Sequence, residues 1–189
     1  MTESAPLPEL WDFLQRMKVA PFGIPTAQHW YHIAAIFHMI DELHVQTFVE
    51  LGVYYGGLSD LLIRRERTVK DIAYFGFDWD PQYLAVSLRY NPAITIGDVF
   101  DPTIVEQVGN LIQGGGSPAL VFCDDGDKPR EMRTYAPVLR VGDYLVAHDY
   151  PETVTDETLA VFAAEAPYML EIAPPIYRGL GLPLWKRNA

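Results

Sequence analysis

Residues 48–60 read FVELGVYYGGLSD. An apolar run ends in a glutamate, Glu50, and three glycines, Gly52, Gly56 and Gly57, are then spent on a turn into a helix-like stretch. Glycine there permits a backbone conformation closed to other residues and lets the chain come close to a ligand. A dinucleotide fingerprint needs glycines at its first, third and sixth positions, and here Tyr54 stands at the third. Hydride-transfer cofactors are therefore disfavoured. A buried negative charge at Glu50 opposes a pyrophosphate and favours a ligand with an ammonium or sulfonium.

Outward from this turn, short apolar runs alternate with longer segments: TFVELGV (47–53), IAYFGFD (72–78), AITIGD (93–98), PALVFCD (118–124) and GDYLVAHD (142–149). Runs apolar on both faces and separated by helix-length segments indicate parallel strands with crossover helices. APYMLEIAPPIY (166–177) and GLPLWKRNA (181–189) lie too close for a crossover and should pair antiparallel as a hairpin. Upstream, residues 8–20 read as a short helix. A second helix follows, capped by Thr26, with Trp30, Ile33, Phe37, Ile40 and Leu43 on its apolar face. We expect one α/β domain: a helical lead over 1–45 that covers the active site, and a core over 46–189.

The last four of the alternating runs close on Asp78, Asp98, Asp124 and Asp149. In an open parallel sheet, ligands bind beyond the carboxyl ends of the strands, so these acids share the functional edge. Any single one could merely cap the next helix.

Composition narrows the class. With 14 Lys+Arg against 25 Asp+Glu the net charge is −11, which repels nucleic acid and anionic membranes. The start lacks a signal-peptide pattern and no apolar stretch reaches a membrane span's roughly 20 residues. The lone Cys123 lies in an apolar run and suits a reducing cytoplasm.

The order of glycine turn and acids resembles the first motifs of the Rossmann-like S-adenosylmethionine (SAM)-dependent methyltransferases, from about Thr26 to the C-terminus. The resemblance implies a mostly parallel seven-stranded sheet with an antiparallel C-terminal hairpin and helices on both faces. It also implies that Glu50 helps hold the amino acid end of SAM, that Asp78 binds the ribose hydroxyls and that Trp79 lies on the adenine. Asp98 and the Val99 backbone would meet the adenine edge, with Gly52, Tyr55, Gly56 and Asp124 completing the cofactor-binding set. The stretch VFCDDGDKPREMRTYAPVLRVGDYLVAHDY (121–150) is similar to the metal-dependent small-molecule O-methyltransferases of the catechol and caffeoyl-CoA type, and also to macrolide sugar O-methyltransferases and cephalosporin hydroxylase-like proteins. That likeness makes Asp125 and Lys128 catalytic and Asp125, His148 and Asp149 metal ligands. A divalent cation there would lower the pKa of the acceptor hydroxyl and, by like-charge repulsion, that of Lys128 as base.

His148 departs from the pattern, which has an acid at that place. Magnesium prefers oxygen, whereas imidazole suits manganese, iron or zinc. The expected activity is methyl transfer from SAM to a hydroxyl of a small molecule, with a divalent metal. A metal-independent N- or O-methyltransferase using Lys128 or His148 as base, and a binding module without activity, are the alternatives. Gln28, His29 and His32 either touch the ligand or form the wet side of their helix. Little sequence follows the fifth strand to build a lid, so a homo-oligomer is expected to close the pocket.

Overall fold

A computed structural model describes residues 23–172 and 175–189. The helix expected over 8–20 lies outside the described residues. The order of elements is α1 (Trp30–Glu42), β1 (Thr47–Leu51), α2 (Gly57–Thr68), β2 (Ala73–Asp78), β3 (Ile94–Ile96), α3 (Pro102–Gly114), β4 (Ala119–Cys123), α4 (Lys128–Tyr135), β5 (Tyr144–Ala147), α5 (Asp156–Glu165), β6 (Met169–Glu171), α6 (Pro175–Gly179) and β7 (Leu184–Arg187).

These strands form one seven-stranded sheet in the order β3-β2-β1-β4-β5-β7-β6. The first five are parallel, with Glu50 opposite Gly76 on one side and Phe122 on the other. β7 runs antiparallel to both β5 and β6, so the expected hairpin is present with β7 inserted beside β5. Every residue of β1, β4 and β5 is buried, as continuous apolar runs between two helical layers require.

The strand period of two divides the core. On one face Ile36, Met39 and Ile40 of α1 and Leu58 and Leu62 of α2 pack on Phe48, Tyr74 and Phe122. On the other, Val108 and Ile112 of α3, Met132 and Tyr135 of α4 and Phe162 of α5 cover Val49, Val121, Leu145 and Trp185. Each such side chain contributes roughly 1.5–3 kcal/mol by leaving water.

Two local expectations differ. β2 and β3 are joined by turns, not by a helix. Pro81 and Pro92 bound that segment, Asp80 caps a local turn by accepting from the Gln82 N–H (2.9 Å), and Arg89 binds the Leu84 carbonyl (3.0 Å). Leu84 and Leu88, four apart as on a helix, still enter the core. In α1 the N-cap residue is His29, without a side-chain cap, and Thr26 hydrogen-bonds Gln28 instead. The buried stripe is His32, Ala35, Ile36, Met39 and Ile40, while Trp30 is exposed and Ile33, Phe37 and Leu43 flank the core. Apolar residues wrap so much of this helix that periodicity alone could not choose the centre of its inward face. Among the described residues no helix is long and apolar enough to cross a membrane.

Candidate functional site

Strand order reverses between β1 and β4, and the loops beyond their carboxyl ends part there to leave a crevice. The ladder holds both strands together up to its floor: Asp124 N–H donates to the Leu51 carbonyl and Gly52 N–H to that of Phe77, each at 2.8 Å. Gly52 has φ +91°, and a Cβ there would lie 2.5 Å from the Asp124 carbonyl oxygen, so only glycine allows this approach. Gly56, at φ +87°, caps α2 against Leu88. Between them Tyr54 is held at φ +52° while its N–H donates to Asp78 Oδ2 at 2.6 Å. The resulting cavity is about 350 Å³, lined by Gln28, Gly52, Tyr54, Asp78, Trp79, Tyr83, Asp124, Asp125, Lys128, His148 and Asp149.

At one end of it charges converge. His148 Nδ1 is 3.0 Å from Asp124 Oδ1 and 2.9 Å from Asp149 Oδ1. Lys128 Nζ is 2.9 Å from Asp149 Oδ2 and 3.6 Å from Asp124 Oδ1. Gln28 donates to the other Asp124 oxygen at 2.5 Å. Asp127 at the N-cap of α4 accepts from Arg130 N–H, and Pro129 follows Lys128 in the first turn, which sets the lysine's starting direction. Asp149 itself sits at φ +61°.

These neighbours set the protonation states. The hydrogen bond from His148 and the Lys128 ammonium hold the Asp149 carboxyl well below the usual carboxylate range, against its burial. Burial alone would depress His148, but Asp124 and Asp149 override it and raise the imidazole to about 9. Lys128 behaves likewise: burial lowers it and the carboxylates raise it further, for a net rise. That is opposite to the lowering a neighbouring cation would impose, so the protein's own groups keep Lys128 protonated.

The structure distributes the sequence-predicted residues unevenly. Ligand atoms of Asp124, His148 and Asp149 lie within 4.8 Å of one another, a possible metal-binding group, whereas the sequence reading set Asp125 in that place. Asp125 lines the cavity, and burial followed by the charges of Asp78 and Asp98 pushes its carboxyl up to about 7. With two successive aspartates, spacing cannot say which turns to which side. Gly52, Asp78 and Trp79 line the cavity with Asp124. Glu50, Tyr55, Gly56, Asp98 and Val99 do not. Glu50 is fully buried beneath it, with Ser59 and Tyr74 hydroxyls donating to Oε2 and no partner at Oε1. Burial raises it to about 8, so it stands as a neutral acid. The Val99 carbonyl accepts the Tyr135 hydroxyl, and Asp98 caps the Phe100 N–H.

Two contributors had faint signals. Glu131, buried at 0% exposure, accepts the Asp125 N–H at 3.2 Å and so braces the loop from behind. A glutamate in the first turn of a helix looks in sequence like any dipole-favoured acid. Tyr54, which stands with Tyr55 near the ligand edge in sequence, is the tyrosine whose backbone binds Asp78. A second cavity of about 340 Å³ adjoins the first across His148 and Asp149, lined also by His29, Tyr31, His32, Tyr150 and Glu152.

No protein-family model and no curated protein sequence matches the chain. Solved structures do. An apo form of CmcI aligns with TM-score 0.67 and 20% identity, over 100% of this chain and 87% of that one. The Mg and SAM form of CmcI gives 0.68 at 20% identity with the same coverage. A Staphylococcus aureus protein described as a caffeoyl-CoA O-methyltransferase gives 0.59 at 12% identity, over 95% and 98%. The fold is therefore the Rossmann-like fold of these methyltransferases, as the strand order and antiparallel last strands also have it.

Proposed function

We propose that the protein is a SAM-dependent methyltransferase acting on a hydroxyl oxygen of a small molecule, assisted by a divalent cation. The observation that carries this reading is one shared wall: His148 and Asp149 belong both to the cavity beside the glycine turn and to the second cavity. A donor on one side and an acceptor on the other would meet at a cluster of two carboxylates, an imidazole and an ammonium. The likeness to CmcI, which has been solved with Mg and SAM and with S-adenosylhomocysteine, supports the choice of cofactors.

Donor binding falls to the first cavity, where Gly52 opens the floor, Asp78 holds the turn and Trp79 offers an exposed ring at the rim. The donor set of one imidazole nitrogen and two carboxylate oxygens fits a divalent cation, with Asp124, His148 and Asp149 as its holders. Such an ion, when bound, lowers the pKa of an acceptor hydroxyl and fixes its direction. In the transfer the oxygen forms a bond to the methyl carbon, the carbon–sulfur bond breaks with its electron pair passing to sulfur, and the hydroxyl proton leaves to a base. Asp149, held ionised, stands where that proton would be received, and Lys128, kept protonated by the carboxylates, could take that part only with its pKa lowered against them. His32 and Gln28, from the segment ahead of β1, back the cluster, in keeping with a lead over 1–45 that covers the site of a 46–189 core.

A second reading drops the ion. Lys128 already lies against both carboxylates, so its ammonium can supply the positive charge itself. Calorimetry with S-adenosylhomocysteine tests donor binding, and failure of a folded chain to bind it would defeat both readings. Methyl transfer that survives EDTA would select the second. The proposal extends to the cytoplasm and to a homo-oligomer that closes the two cavities; sedimentation of a strict monomer would remove the latter.

A further inference from the structure

We infer that His32 fixes His148 so that the Asp124–Asp149 group takes a nitrogen-seeking divalent transition ion, such as cobalt, iron or zinc, in preference to magnesium or calcium. This rests on the reading above that a cation is held there. The observations behind it are a buried pair of imidazoles and the direction each ring faces.

His32 and His148 are 8% and 7% exposed, and their rings meet edge to face with centroids 4.5 Å apart. His148 Nε2 is 2.9 Å from His32 Nδ1. A hydrogen bond between two imidazoles carries one hydrogen, so which ring donates depends on what occupies the far nitrogens. The far nitrogen of His32, Nε2, faces the turn at Leu180 and Gly181, 3.8 Å from where a Cβ on Gly181 would stand, and the Leu180 backbone there favours a hydrogen on the ring. His32 thus keeps its hydrogen on Nε2 and offers the lone pair of Nδ1. The shared hydrogen then belongs to His148 Nε2, and Nδ1 is the one nitrogen His148 turns to the two carboxylates, at 3.0 and 2.9 Å.

A cation drawn to this group displaces the hydrogen that His148 Nδ1 gives the carboxylates and then meets nitrogen as well as oxygen. Magnesium and calcium favour all-oxygen surroundings, whereas a neutral imidazole suits the later divalent ions. His32 has the place that outer partners of ligating histidines commonly take: it sets tautomer and ring direction without touching the ion. It is a positioning residue. Its source, the first helix of the described chain, explains why a helix outside the strand ends is tied so closely to this edge.

The test is calorimetry of the purified chain with Co²⁺ and with Mg²⁺, the absorption spectrum of the Co²⁺ form, and nitrogen-15 NMR of the histidine rings. S-adenosylhomocysteine affinity is measured separately. The wild type should bind Co²⁺ at least ~100-fold more tightly than Mg²⁺, and His148→Glu should narrow that ratio at least ~10-fold. His32→Ala should weaken Co²⁺ by ~10–100-fold and shift the His148 tautomer, and His32→Asn, whose amide oxygen can accept from His148 Nε2, should restore most of the affinity. The His32 pair carries the test should His148→Glu not fold. An unchanged ratio in His148→Glu, Co²⁺ affinity unmoved in His32→Ala, or no rescue by His32→Asn overturns the inference. Donor binding with no ion binding overturns it too, yet leaves the methyltransferase reading standing. Ion binding with the expected pattern but no donor binding does the reverse.

Discussion

Two sets of acids share the carboxyl edge of this sheet and behave in opposite ways. Beneath the β1 end, Glu50 is wholly buried, receives both its hydrogen bonds on one oxygen and is raised to about 8. Glu131, behind the β4 loop, is the same kind of group, with Oε1 unpartnered and burial raising it to about 8. At the β5 end Asp149 is partly open, bound by Lys128 and His148, and held ionised. Burial with no cation in contact makes an acid neutral; a buried cation paired with it keeps the charge. Ionised acids thus gather at β4 and β5, while acids raised by burial lie beneath the glycine turn and behind the β4 loop.

The largest expected effect breaks the charged set. Asp149→Asn removes the carboxylate that joins Lys128 to His148 and should lower the methyl-transfer kcat by roughly 10²–10⁴-fold, while S-adenosylhomocysteine affinity by calorimetry stays within about threefold of wild type. Retained kcat would mean that the charged cluster is not where the reaction occurs. A backbone change comes next. Gly52→Ala sets a methyl 2.5 Å from the Asp124 carbonyl at φ +91°, and denaturant titration should show a loss of roughly 2–4 kcal/mol. Gly126, at φ +118° with open space around it, should cost only about 1–2 kcal/mol when changed to alanine. Equal losses would show that the close strand approach does not govern this edge.

How much of this could be read from residues depends on what a pattern can encode. The parallel strands were legible because burial on both faces leaves uninterrupted apolar runs such as ALVFC. Gly52 was legible because its backbone requirement excludes other residues. The β2–β3 connection was not, since Leu84 and Leu88 have helical spacing while Pro81 and Pro92 decide the backbone. Within the site, spacing located the Asp124-Asp125 pair but not which member turns toward His148. The charge state of a buried acid was also hidden: Glu50 reads as an anion in sequence, and burial without a cationic neighbour raises it to about 8. The His32–His148 contact joins residues 116 apart, beyond any local signal.

Donor affinity separates the two sets of acids more finely. Asp78 lines the cavity and accepts from Tyr54 N–H and Asp80 N–H, so Asp78→Asn removes a charge at the ligand and loosens the turn that frames it. S-adenosylhomocysteine should bind about 10-fold more weakly, near 1.4 kcal/mol. Glu50→Gln should alter the same affinity by less than about threefold at pH 7, under 0.7 kcal/mol, because a neutral acid is replaced by a neutral amide outside the cavity. Its signature lies in stability instead. Glu50 is raised in the folded chain, from the ordinary 4.5 to about 8, so the folded state keeps a proton that the unfolded state releases. The stability tied to that proton is whole below pH 4.5 and is lost as pH climbs through about 8. Wild type should therefore lose several degrees of melting temperature relative to Glu50→Gln between pH 5 and 8, at roughly 2–4 °C per kcal/mol. If Glu50→Gln instead weakens the donor as much as Asp78→Asn does, and the two melting curves run parallel with pH, then Glu50 is ionised beside the ligand and the division between neutral and charged acids fails.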